Sequence, residues 1–195
     1  MTKKTFIHIA LLLTLITFYS CDESESYSIT DHYTPCGWMG CGELDVGLID
    51  LEESWTKNTQ SGDKCIKITF ENCEEKKGSG IYWINNKGDS ECNWGETPGN
   101  DLSPKNFTTL SFWVRGEKGG ERIKFGIGGV KGANKLYKDS LDAQLFANLT
   151  TDWTEYKINI SKKNLSSVIG GFYWYSANTD NIDGGIFYLD GVELR

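Results

Sequence analysis

The chain predicts an all-β fold, an antiparallel β-sandwich, on three observations. Glycine is abundant at 22 residues, proline is scarce at 3, and aromatic residues make up 13% of the chain. Long stretches rich in Ala, Leu and Glu, which mark helical domains, are absent. Short runs instead alternate apolar and polar residues with a period of two, the spacing at which a strand turns successive side chains to opposite faces. β-branched and aromatic residues dominate those runs, and Gly-rich turns separate them.

About nine strands follow from that pattern. Gly47 to Glu52 opens the set with weak patterning. Lys64 to Phe70 places Ile66, Ile68 and Phe70 on one face and Lys67 and Thr69 on the other. Gly80 to Ile84 is a further weak run. Thr109 to Arg115 sets Leu110, Phe112 and Val114 inward and Ser111, Trp113 and Arg115 opposite. Arg122 to Gly128 alternates Ile123, Phe125 and Ile127 with polar or small residues. Ala143 to Leu149, Thr154 to Ile160, Gly170 to Tyr175 and Gly185 to Leu194 complete the series. Stacked sheets are how a chain of this kind manages its strand edges.

The N-terminus is of a different character. Lys3 and Lys4 precede an almost wholly apolar run from Phe6 to Phe18, and small Ser20 stands before Cys21. Residues 1–20 are therefore a secretory signal with a cleavage point. The apolar run is too short to span, as a helix, a hydrocarbon layer of about 30 Å. Ser20-Cys21 resembles the lipobox of bacterial lipoproteins, which implies that Cys21 is acylated and becomes the first mature residue. The chain departs from that pattern in having Phe18 where Leu is usual, followed by bulky Tyr19. Asp22, Glu23 and Glu25, interleaved with serines, bury nothing and belong in water. Such a segment resembles the acidic tags that send lipoproteins of Gram-negative bacteria to the outer face of the cell; in other bacteria an Asp after the cysteine retains the protein at the inner membrane. Residues 21–34 are expected to be an acidic tether, exported and lipid-anchored at the outer membrane, and residues 35–195 the domain.

Without Lys3 and Lys4 the remaining 18 cations face 27 acids, a net charge of −9 against −7 for the whole chain. So acidic a chain excludes nucleic acid as a partner, since phosphate binding needs clustered Lys and Arg. The roughly 160 residues after the tether suffice for one domain with a real core. Cys36, Cys41, Cys65, Cys73 and Cys92 follow the lipid cysteine. An exported compartment permits disulfides, and pairing Cys36 with Cys41 and Cys73 with Cys92 would close two loops. An odd number leaves at least one thiol outside such pairs. Zinc is disfavoured by the lack of any Cys-x-x-Cys pair and by His32 being the only histidine after residue 20.

The last strand carries an anomaly. Its alternation puts Asp190 on one face with Ile186, Tyr188, Val192 and Leu194. A carboxylate there needs a cation or several donors. Either backbone amides near the strand end supply them, or a structural calcium ion does, with Asp50 or Glu52 as co-ligands.

Several segments in order resemble one family: Pro35-Cys-Gly-Trp-Met-Gly40, Asn93-Trp-Gly95, Leu110 to Glu121, Phe125-Gly-Ile-Gly-Gly129, Asp152-Trp-Thr-Glu-Tyr156, Gly170-Gly-Phe172 and Phe187-Tyr-Leu-Asp190. Together they are similar to the galactose-binding-like jelly rolls that occur as carbohydrate-binding modules and in surface lipoproteins of glycan-degrading bacteria. The resemblance implies a β-jelly roll, glycan binding, and a structural calcium held by an Asp of the final strand, here Asp190. Cys41 stands where members often carry Asp, which puts a metal or sugar role of that loop in doubt.

Sugar rings stack their C–H faces on exposed aromatics, and their hydroxyls need polar partners at the rim. The seven tryptophans supply the material. Trp113 and Arg115 lie opposite the apolar face of their strand, Trp38 and Trp94 sit in Gly-rich loops, and Trp83 and Trp174 end short strands with Tyr82, Tyr173 and Tyr175 on alternate faces. Trp38, Trp83, Trp94, Trp113, Arg115 and Trp174 are accordingly the expected carbohydrate-binding residues. The expected function is non-catalytic capture of polysaccharide by an anchored surface lipoprotein beside glycan-processing proteins. A glycoside hydrolase or polysaccharide lyase using paired carboxylates is one alternative, and an adhesin-like domain binding protein through its aromatic patch is another. Ser-His-Asp and Cys-His chemistry has little support, since His32 is the only histidine after residue 20 and lies in the tether.

Overall fold

A computed structural model describes residues 26–40, 48–71, 78–85 and 92–195. Cys21, Cys41 and Cys73, and with them the lipidation and two of the expected disulfide positions, lie outside the described residues. Eleven strands are present among the described residues: β1 Tyr27–Ser28, β2 Thr34–Gly40, β3 Ile49–Trp55, β4 Cys65–Phe70, β5 Gly78–Ile84, β6 Thr109–Gly116, β7 Arg122–Gly128, β8 Asp142–Asn148, β9 Thr154–Asn159, β10 Gly170–Ala177 and β11 Gly185–Leu194. A 3-10 turn, Ser103–Lys105, lies between β5 and β6.

The strands form two antiparallel sheets. One runs β3-β4-β11-β6-β9, with β1 added to the end of β11; the other runs β2-β5-β10-β7-β8. The chain passes between the sheets at nearly every connection, so sequence neighbours face each other across the core. All nine expected runs are strands. β1 and β2 were not expected, and the segment read as a tether enters the domain: Ile29 and Tyr33 are buried in the core, and Tyr27 pairs with Leu194. Their apolar bulk, set among polar residues, draws residues 27–34 into the fold.

Between the sheets lies an aromatic core. Phe112 meets Phe125 at 4.9 Å and Phe172 at 5.2 Å, and Trp174 meets Phe70 and Phe187 at 5.2 Å each. Such ring pairs add roughly 0.5–1.5 kcal/mol each beyond the area they bury. Parity carries each residue to its side: Phe172 and Trp174 of β10 face in, so Tyr173 and Tyr175 face out. The same rule breaks in β11, where a bulge between Asp190 and Glu193 shifts the register against β6. Gly191 sits in the left-handed region at φ 55°, which a side chain would strain. The bulge resets the alternation, so Val192 and Leu194 point into the core while Asp190 faces out beside Tyr188. Asp190 therefore does not share a face with Val192 and Leu194.

Cys36 and Cys92 are disulfide-bonded, in place of the expected pairings of Cys36 with Cys41 and Cys73 with Cys92. The expected pairs joined sequence neighbours. β2 and the segment after β5 instead meet because both lie on one side of the five-stranded sheet. Cys65 is a buried free thiol.

Candidate functional site

The outer face of the five-stranded sheet is paved with aromatic residues. Strand register lays them in two rows that cross all five strands. Met39, Gly80, Tyr175, Lys124 and Phe146 form one row; Gly37, Tyr82, Tyr173, Gly126 and Gln144 form the next. With strands about 4.8 Å apart, each row is about 19 Å long.

Glycines let the rings lie down. A Cβ built on Gly126 would fall 2.4 Å from the Tyr173 ring, and one on Gly37 would fall 2.9 Å from Trp94. The Tyr173 ring therefore leans across β7, and Trp94 covers β2. Tyr82 meets Tyr173 at 4.7 Å and Trp94 at 5.5 Å. Tyr82 and Tyr173 form a buried floor with Ile84, Val130 and Ile169, while Cys36, Met39, Cys92 and Trp94 pack at its margin. Tyr175 and Lys124 are half-buried beside it, Gln144 is exposed, and Phe146 is 57% exposed.

The polar groups of this face are ordered. The Tyr173 hydroxyl donates to Gln144 Oε1 at 2.9 Å, and the exposed Gln144 keeps its amide nitrogen as a donor. Burial pushes the Tyr173 phenol up to about 12 and the Tyr82 phenol up as well, so both stay protonated. Lys124 Nζ stands 4.9 Å from the Tyr175 ring and 5.9 Å from that of Tyr173. Arg122 lies 5.2 Å over Phe146 and pairs with Asp180 at 3.1 Å. Asp142 is engaged by Lys131 at 2.9 Å.

Two loops wall the floor. Asn93 fixes the Trp94 loop: its side-chain oxygen accepts the amides of Gly95 and Thr97, and its amide donates to Asn85 Oδ1 at 2.9 Å. Buried Asp139 ties the β7–β8 loop to the start of β10, accepting the amides of Val130, Ile169 and Gly170. Burial outweighs those three donors and raises the Asp139 carboxyl to about 6.

The six expected carbohydrate-binding residues do not come together. Trp94 lies on this face. Trp83 and Trp174 are 1% and 0% exposed in the core, because they share strand parity with Ile81 and Phe172. Trp38, opposite Ile81, turns inward and packs half-buried against the core. Trp113 and Arg115 are on the outer face of the other sheet. There Arg115 is 8% exposed, with its guanidinium 3.6 Å over the Tyr188 ring and 5.6 Å from that of Trp153. Trp153 Nε1 donates to Asn58 O at 2.9 Å, so the loop after β3 is strapped over this sheet. Tyr82, Tyr173, Tyr175, Lys124, Gln144 and Phe146 were not among the expected site residues. The signal that finds them is parity: they alternate with the large apolar residues of their own strands.

The residues named for calcium do not fit the ion. Asp190 Oδ2 accepts the amides of Gln60 and Ser61 at 3.2 and 3.1 Å, and Glu52 pairs with Lys67 at 2.5 Å. Asp50 stands opposite Thr69, and Asp190 lies beyond Leu189 at the other end of the β4–β11 pairing. Among the described residues no group of three or more His, Cys, Asp or Glu is placed to hold a metal.

Two sheets, a jelly-roll chain path and an open aromatic face define the chain as a β-sandwich of the architecture found in carbohydrate-binding modules. A family 30 carbohydrate-binding module superposes with a TM-score of 0.58 at 15% identity, covering 88% of this chain and 98% of that one. A family 11 module of a cellulosomal cellulase from Clostridium thermocellum gives 0.56 at 13% identity, covering 87% and 92%. A family 11 module from the same organism, in complex with a β-1,3-1,4-mixed-linked tetrasaccharide, gives 0.51 at 13% identity, covering 87% and 86%. No family model matches the chain, and no curated protein does.

Proposed function

We propose that this chain is a non-catalytic glycan-binding domain, held through acylated Cys21 at the outer membrane and facing outward, which captures polysaccharide for neighbouring glycan-processing proteins. The observation that carries this reading is the aromatic face of the five-stranded sheet, with Tyr175, Phe146 and Trp94 accessible over a floor of Tyr82 and Tyr173. Sugar C–H faces stack on such rings, and Lys124 and Gln144 supply the polar contacts a bound chain needs. The shared sandwich architecture of the similar modules agrees with it. Glycoside hydrolysis by paired carboxylates needs two acids flanking the bond. The described strands of this face carry one outward acid, Asp142, and Lys131 occupies it.

Native electrophoresis in gels containing polysaccharides tests the reading. At least one polysaccharide should retard the purified domain. Tyr175→Ala and Phe146→Ala should abolish the retardation while circular dichroism stays unchanged, and Trp113→Ala on the other sheet should leave it intact. Retardation lost with Trp113→Ala alone would move the site to the opposite face. No retardation by any polysaccharide would return the domain to the protein-binding reading. Labelling with radioactive palmitate, absent in Cys21→Ser, tests the anchor.

A further inference from the structure

We infer that the glycan taken by this face is anionic, a polysaccharide whose units carry carboxylates, and that Lys124 selects it; this rests on the glycan-binding reading above. Two cations stand on the five strands, Arg122 and Lys124. Arg122 is paired with Asp180. Lys124 has no acidic partner among the described residues and sits in the middle of the face, directly between Tyr175 and Phe146 in the strand register. Its ammonium lies within about 6 Å of two tyrosine rings, close enough for the ring faces to hold a cation in place.

The remaining polar groups of the face agree. Gln144 has its oxygen engaged by Tyr173 and its amide nitrogen left as a donor, and Asp142 is paired with Lys131. What the described strands of this face offer a ligand is therefore one unpaired positive charge, beside hydroxyls and an amide that can also donate. Sugar hydroxyls both donate and accept, whereas a carboxylate only accepts, so a uronate unit matches this set better than a neutral one. Charge-assisted hydrogen bonds are also the stronger kind. Without residues 1–20 the chain carries −9 and repels a polyanion, but beyond about 8 Å salt screens that repulsion. The local ammonium decides the contact.

The test compares two arms on the purified domain: acidic polysaccharides (polygalacturonate, alginate, hyaluronan, glucuronoxylan) and neutral ones (mixed-linkage β-glucan, xyloglucan, galactomannan, starch). The best acidic polymer should bind about tenfold or more tightly than the best neutral one. Carboxyl reduction of that polymer should remove the advantage, as should Lys124→Met, which keeps the apolar stem. Tyr175→Ala should abolish binding in both arms. Neutral polymers bound as tightly as acidic ones, or an acidic preference unchanged in Lys124→Met, would overturn the inference and leave the glycan-binding reading standing. Binding in neither arm would overturn both.

Discussion

Tyr82 and Trp83 are adjacent aromatic residues with opposite surroundings. Trp83 meets Phe172 at 5.5 Å in the core, and Tyr82 lies on the outer floor against Trp94. Trp83→Ala is expected to cost about 3–5 kcal/mol in denaturant unfolding, as truncation of a large core ring does. Tyr175→Ala, half-buried on the outer face, should cost about 1 kcal/mol or less and act on binding instead. The period-two pattern made the alternation itself legible, and it placed Trp113 and Arg115 on an outer face. It did not reveal which face is core where both are aromatic, as in Phe172-Tyr-Trp-Tyr175. There the phenol hydroxyls are the clue, since a tyrosine keeps its O–H near water or a partner, and Trp83 and Trp174 were placed on the wrong side for want of it. Asp139 makes a separate expectation. Its carboxyl titrates near 6 in the fold against 3.8 ordinarily. Below about pH 4 both folded and unfolded chains hold the proton. As pH rises toward 6 the unfolded chain releases it first, so stability from this group declines across that window, by roughly 2–3 kcal/mol. The difference in unfolding free energy between the wild type and Asp139→Asn should shrink from pH 4 to pH 7; a flat difference would refute the raised carboxyl.

The bulge in β11 and the loop that follows β3 act as one device. Gly191 bends the strand, Asp190 turns outward, and its carboxylate takes the amides of Gln60 and Ser61. Asp190→Ala should therefore free residues 56–64, raise their proteolytic sensitivity and cost about 1–3 kcal/mol. The loss should be the same in EDTA as in calcium-containing buffer; a loss that depends on calcium would show that a cation, and not the amides, is the partner. Amide bonding was one of the two readings open from sequence. What sequence could not show was the bulge, because Asp-Gly within an otherwise regular strand breaks no pattern until its partners are in register. β2 escaped notice for the opposite reason: Thr-Pro-Cys-Gly-Trp-Met-Gly has the composition of a loop, and pairing with β5 makes it a strand. The runs with clean alternation, β4, β6, β7 and β9, were legible because large apolar residues keep to one face of each and the polar ones to the other.

The Cys36–Cys92 bond closes a loop with a sequence separation of 56, which carries the chain through β3 and β4 in one sheet and back to β5 in the other. On chain entropy alone its loss should cost about 4 kcal/mol. Cys36→Ser should lower the melting temperature accordingly and loosen Trp94, which a quenched or shifted tryptophan emission would report. The two layers also differ in what they hold. β1 joins the six-stranded sheet, where Tyr27 pairs with Leu194, while the aromatic rows lie on the far side of the other sheet. Tyr27 lies six residue steps after Cys21, a reach of about 20 Å at full extension. An acyl anchor on so short a lead would attach the domain by its back. Its ring-paved front would then be turned from the bilayer toward the medium, where long polymers arrive from outside.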